Sequence, residues 1–113
     1  MIRTLLLAGG LAAVVTSTAI AGGDLPKRAD KALYCGHVYL EAARAISAGG
    51  DPAAARVIRA YGKEWLSYSY GLAVGYSRRE VNALKPAYEK QAKADVAAKR
   101  YRYKDCGSKS NLN

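Results

Sequence analysis

The chain has no phenylalanine, one histidine, one tryptophan, one methionine, two cysteines and three prolines in 113 residues. Each shortage excludes something. His37 has no second Cys–His cluster with which to complete tetrahedral zinc. No Cys-x-x-Cys-His run exists for haem attachment, so neither a metal nor a cofactor is expected. Ser67, Ser69 and Ser77 could act as nucleophiles only if His37 came within hydrogen-bonding distance, and nothing in their spacing requires it. Glu41 and Glu64 could form the carboxylate pair of a glycosidase, yet each has a basic neighbour in Arg44 or Lys63. The expectation is a protein without enzymatic activity, with catalysis through His37 as an alternative.

Acidic residues are also scarce. Nine of them face 18 Lys and Arg, a formal charge of +9. Such an excess favours anionic partners while saying nothing of the fold.

What the chain does contain begins with an address. Met1-Ile2-Arg3 is a short basic start, Thr4 to Val15 is uncharged and mostly apolar, and Ala19-Ile20-Ala21 offers a small-x-small cleavage pattern. The apolar block is roughly a dozen residues, short of the ~20 needed to span a bilayer. Residues 1–21 therefore read as a cleaved secretory signal of bacterial, Sec-dependent type. Loss of Arg3 lowers the mature charge to +8. Residues 22–107 read as one helical domain and 108–113 as a flexible polar tail. No internal repeat or low-complexity linker interrupts the domain.

Export bears on the cysteines. In an oxidising compartment Cys35 and Cys106 have one possible intramolecular pairing. Closing a loop of that size contributes roughly 4 kcal/mol on the chain-entropy model.

Ala-richness and the lack of period-2 alternation predict an all-α protein. A first helix is expected over 27–48, after Pro26 and before Gly49-Gly50. Asp51-Pro52 supplies a cap and a first-turn proline for a second helix. On it, Ala54, Ile58, Tyr61, Trp65, Tyr68 and Leu72 form a stripe of helical period. Gly71 and Gly75 near its end suggest close packing or fraying. Ser77-Arg78-Arg79-Glu80 reads as a capping box. Pro86 then leaves two options. A bundle of four helices, the third short and the chain reversing at Pro86, returns Cys106 towards Cys35, which sits early in the first helix. A three-helix bundle kinked at Pro86 is the alternative.

Nine tyrosines with no phenylalanine suit either boundary positions or a recognition surface. Lys99 to Lys104 alternates cations with Tyr101 and Tyr103, a pattern met on surfaces for anions, although cations in a last helical turn also complement the helix dipole. Arg78 and Arg79 oppose that dipole in a first turn and so call for a partner or a salt bridge. Arg78, Arg79, Arg100, Tyr101, Arg102 and Tyr103 are the candidate binding residues. The expected role is a periplasmic or secreted binding protein for an anionic envelope component: a lipid headgroup, lipopolysaccharide or a glycan. An acidic protein and extracellular nucleic acid are other possible partners. A different class, a stress chaperone or protein inhibitor working through apolar helix faces, requires an exposed patch around Trp65, Tyr68 and Leu72.

Overall fold

The computed structural model describes residues 25–104 and residue 106. The expected leader and the polar tail lie outside the described residues. Three helices are present, α1 over Lys27–Ala48, α2 over Pro52–Leu72 and α3 over Arg78–Ala98, and no strand is found among the described residues.

Local signals set most of the helix ends. Gly50 closes the α1–α2 turn with φ 101°, in the left-handed region that glycine reaches without a Cβ penalty. Asp51 then accepts a hydrogen bond from the Ala54 backbone N–H at 3.0 Å, with Pro52 in the first turn. Ser77 and Glu80 form the reciprocal box at the start of α3, at 3.1 and 2.8 Å.

The four-helix arrangement is not found. Pro86 lies on the exposed side of a continuous α3. A mid-helix proline removes one backbone hydrogen bond and costs about 3 kcal/mol. Here the carbonyl deprived of its donor belongs to exposed Asn82, where water can replace it. Val81, Tyr88, Ala92 and Asp95 meanwhile form one buried face on both sides of Pro86, and that face holds α3 in one piece. The reversal that the disulfide requires comes later. Lys99 adopts the left-handed conformation (φ 54°, ψ 45°) and turns the chain back along α1. Cys106 thereby reaches Cys35, bonded to it with Cα atoms 5.3 Å apart.

α1 is the centre of the molecule. Ten consecutive residues, Ala29 to Val38, are buried. α2 packs antiparallel along one flank and α3 along another, meeting α2 chiefly at Tyr70. Tyr88 reaches Asp30 while its neighbour Glu89 reaches Arg44, and these α1 residues are roughly 20 Å apart along the helix. Residues 99–104 and Cys106 cover a further flank.

The α1–α2 seam is made of small residues. A Cβ on Gly62 would stand 2.9 Å from the Gly36 carbonyl oxygen, so the two backbones touch there. Steps of seven residues outward from that contact, in opposite directions, set Ala29 opposite Ser69 and Ala43 opposite Ala55. All four are fully buried. A seven-residue repeat keeps one line of each helix facing its partner. The buried side of α2 is therefore Ala55, Gly62, Trp65 and Ser69. Of the expected stripe only Trp65 lies on it; Ala54, Ile58 and Leu72 are half-buried, and Tyr61 and Tyr68 are 47% and 41% exposed. Gly71, expected to allow close packing, faces open space, as does Gly75.

Candidate functional site

Three of the scarce carboxylates are drawn inward. Asp30, Glu41 and Asp95 are buried, Asp51 and Glu80 cap helices, and Glu89 lies 3.8 Å from Arg44.

Asp30 is the hub of a polar cluster at the start of α1. Arg102 Nη2 donates to both of its carboxylate oxygens at 3.0 Å. The Tyr88 and Tyr103 hydroxyls each donate to it at 2.5 Å. Tyr34 donates to Asp95 at 2.6 Å and accepts from the Arg102 backbone N–H at 3.0 Å. The Arg102 guanidinium lies 4.7 Å from the Tyr34 ring centre and 5.4 Å from that of Tyr103, within cation–π range. Buried polar groups are tolerated when each has a partner, and here one carboxylate accepts from three side chains.

The environment shifts these groups in consistent directions. Burial, and then the bond to Asp95, pushes the Tyr34 hydroxyl up to about 12. Burial and Asp30 raise Tyr88 further. Burial alone would lower Arg102, but its hydrogen bond to Asp30 and the charge there outweigh it, leaving it raised. All three groups keep their ordinary neutral-pH charge states.

The tyrosine excess has its account in these bonds. Tyr34, Tyr39, Tyr70, Tyr88 and Tyr103 all donate their hydroxyls to internal acceptors, Tyr39 to the Cys106 carbonyl at 2.6 Å. Phenylalanine at these places would leave the acceptors bare. Tyr61, Tyr68 and Tyr101 remain exposed.

The candidate residues separate into two groups. Arg78 and Arg79 open α3, and Arg100 to Tyr103 follow its end, roughly 30 Å away for a 21-residue helix. That exceeds the ~8 Å Debye length at physiological salt several-fold, so the groups do not act as one field. Arg78 has an internal role: its guanidinium lies 3.9 Å from the Tyr70 ring centre. Lys85 donates to the Tyr70 hydroxyl at 2.6 Å, and that hydroxyl donates to Asn82. Arg79 is exposed. Arg102 and Tyr103 belong to the Asp30 cluster, whereas Arg100 and Tyr101 face outward.

Sequence reading missed that the final basic run meets the first turn of α1. Arg102 and Tyr103 dock on Asp30, and exposed Lys27 and Arg28 precede Asp30 as exposed Lys99, Arg100 and Lys104 flank Arg102 and Tyr103 in sequence. The available signal was Asp30 itself, an acid amid cations on a helix otherwise made for burial.

His37 is buried and its Nε2 has no hydrogen-bond partner. Burial lowers its pKa; Glu89 pulls the other way and Lys85 adds to the fall. The disulfide takes Cys35 away from any chelate with it. Among the described residues, no group of three or more His, Cys, Asp or Glu could hold a metal ion, and no helix is long and apolar enough to cross a membrane. Glu41 is buried and paired with Arg44 at 3.1 Å, while Glu64 lies on the exposed side of α2. Trp65, on whose exposure the chaperone reading depended, is 1% exposed.

Comparison with protein-family models, with curated proteins and with solved structures finds no match, so function rests on the chain's own geometry.

Proposed function

We propose that this is an exported, periplasmic or secreted, non-enzymatic protein that binds a phosphate-bearing anionic component of the cell envelope through its basic end. One observation carries the reading. Asp30 ties the basic segment after α3 to the first turn of α1 through Arg102 and Tyr103. Exposed Lys27 and Arg28 on one side, and exposed Lys99, Arg100 and Lys104 on the other, flank these tied residues in sequence. Exposed Tyr101 adds an amphipathic ring of the sort that sits at lipid headgroups. The disulfide suits an oxidising compartment.

The test is co-sedimentation with phosphatidylglycerol vesicles, phosphatidylcholine vesicles and lipopolysaccharide over a salt series. Binding to the anionic materials alone, falling as salt rises, is expected. The double variant Lys99→Asn, Arg100→Gln keeps the left-handed turn, which Asn tolerates. It loses about thirtyfold in vesicle affinity if each cation contributes about 1 kcal/mol at an anionic surface. Retention that ignores salt, or an unaffected double variant, overturns the reading.

A further inference from the structure

A second basic region lies away from that end, in the groove between the last third of α1 and the first half of α2. It is lined by Leu40, Arg44, Ser47, Ala48, Arg59 and Lys63. Three cations line it and no carboxylate does. Arg59 and Lys63 stand one turn apart on α2, an i,i+4 like-charge pair that weakens a helix instead of supporting it. Arg59 is half-buried in spite of its charge. Arg44 faces them from α1, with Glu41 at 3.1 Å and Glu89 at 3.8 Å on its other side, so Arg59 and Lys63 carry the uncompensated charge of the groove. Its floor is aliphatic, from half-buried Leu40 and from Ala48.

We infer that this groove is a binding site for a single anionic amphiphile, a phosphate monoester or diester headgroup joined to an alkyl chain. The phosphate lies between Arg59 and Lys63 with Arg44 and the Ser47 hydroxyl at its edge, and the first carbons of the chain rest on Leu40 and Ala48. Charge complementarity selects the anion, since a cation pair without a carboxylate gains most from an oxyanion carrying several acceptor oxygens. The aliphatic floor selects the alkyl chain. No aromatic side chain lines the groove to stack a base, which disfavours single-stranded nucleic acid. This site is distinct from the basic end and stands or falls independently of it.

Isothermal titration with decyl phosphate, kept below its micelle concentration, tests the site. Inorganic phosphate and decyl maltoside serve as the half-ligands. The expected result is saturable one-to-one binding of decyl phosphate, at least tenfold tighter than either half-ligand. Arg59→Gln with Lys63→Gln weakens it by up to about 25-fold, as two charge pairs at up to a factor of about five each imply. Ala48→Trp, which fills the floor and leaves every charge in place, abolishes it. Both variants are compared with the parent by thermal melting, and the Trp variant stands alone if the charge variant melts early. The Lys99→Asn, Arg100→Gln protein binds decyl phosphate unchanged while losing vesicle affinity. Equal binding by the parent and both groove variants overturns the site, as does decyl maltoside matching decyl phosphate. Vesicle binding by the parent without decyl phosphate binding overturns the groove alone. The reverse outcome overturns the basic-end reading and leaves the groove standing.

Discussion

Two glycines on one helix should respond to the same substitution with opposite signs. Alanine is better than glycine inside a helix by about 1 kcal/mol, so propensity alone predicts that Gly62→Ala and Gly71→Ala both stabilise. At Gly62 the new Cβ would lie 2.9 Å from the Gly36 carbonyl oxygen, 3.0 Å from Leu40 Cδ2 and 3.1 Å from Tyr39 Cβ. Two of those three atoms are backbone or Cβ and can move only if the helices part. Overpacking of a close seam costs about 1–3 kcal/mol, which exceeds the propensity gain. Gly71 has nothing within 4 Å of its Cβ position and lies in the last turn of α2, so a gain of about 0.5 kcal/mol is expected there. In a domain of this size 1 kcal/mol moves Tm by roughly 4–8 °C. Gly62→Ala should therefore lower Tm by about 5 °C, and Gly71→Ala should raise it by 2–4 °C. Thermal melts followed by far-ultraviolet circular dichroism, with the disulfide intact, measure both. A Gly62→Ala protein that melts as high as its parent would refute the close approach of α1 and α2 and the register built upon it.

Other perturbations probe the remaining features. Asp30→Asn keeps the shape but removes the charge that accepts from Arg102, Tyr88 and Tyr103; a loss of about 2–4 kcal/mol in urea unfolding is expected, and a loss below 0.5 would show the cluster to be incidental. Pro86→Ala restores a backbone donor to the Asn82 carbonyl, at the expense of a looser unfolded chain, and should stabilise by about 1–2 kcal/mol. On the alkaline side, Tyr34 has a folded pKa of about 12 against an ordinary 10.0. Its contribution is complete below pH 10 and is lost as pH rises towards 12, with Tyr88 following in the same direction; Tyr34→Phe should flatten that limb in unfolding measured alongside tyrosinate absorbance. On the acid side His37 is depressed from 6.5, so its contribution is complete above pH 6.5 and declines as pH falls, and His37→Leu should remove that slope from a plot of urea midpoint against pH.

Features written locally were legible in the sequence. The span of α1, the Asp51-Pro52 start, the Ser77–Glu80 box and the cysteine pairing each depend on a few neighbouring residues or on simple exclusion. The rest depends on what a residue meets across the fold. Pro86 is a strong breaker by itself, and the buried face from Val81 to Asp95 overrides it. The α2 stripe was read from its large residues, whereas close helix packing selects small ones. The Ala29, Gly36, Ala43 and Ala55, Gly62, Ser69 series, each at seven-residue spacing, was the signal to follow. In the candidate site, exposed Arg100 and Tyr101 could be found by pattern. The tie of Arg102 and Tyr103 to Asp30 could not, because it spans more than seventy positions.

That separation bears on the order in which the chain is made. The α1–α2 hairpin is complete by residue 72 and has its small-residue seam from the start. The partners of Asp30, however, are Tyr88, Arg102 and Tyr103, and the partner of Cys35 is Cys106. A chain interrupted after α3 would carry an aspartate short of two donors and an unpaired thiol on its central helix. The native arrangement of α1 therefore waits on the segment from Arg102 to Cys106, which supplies both the missing donors and the second thiol.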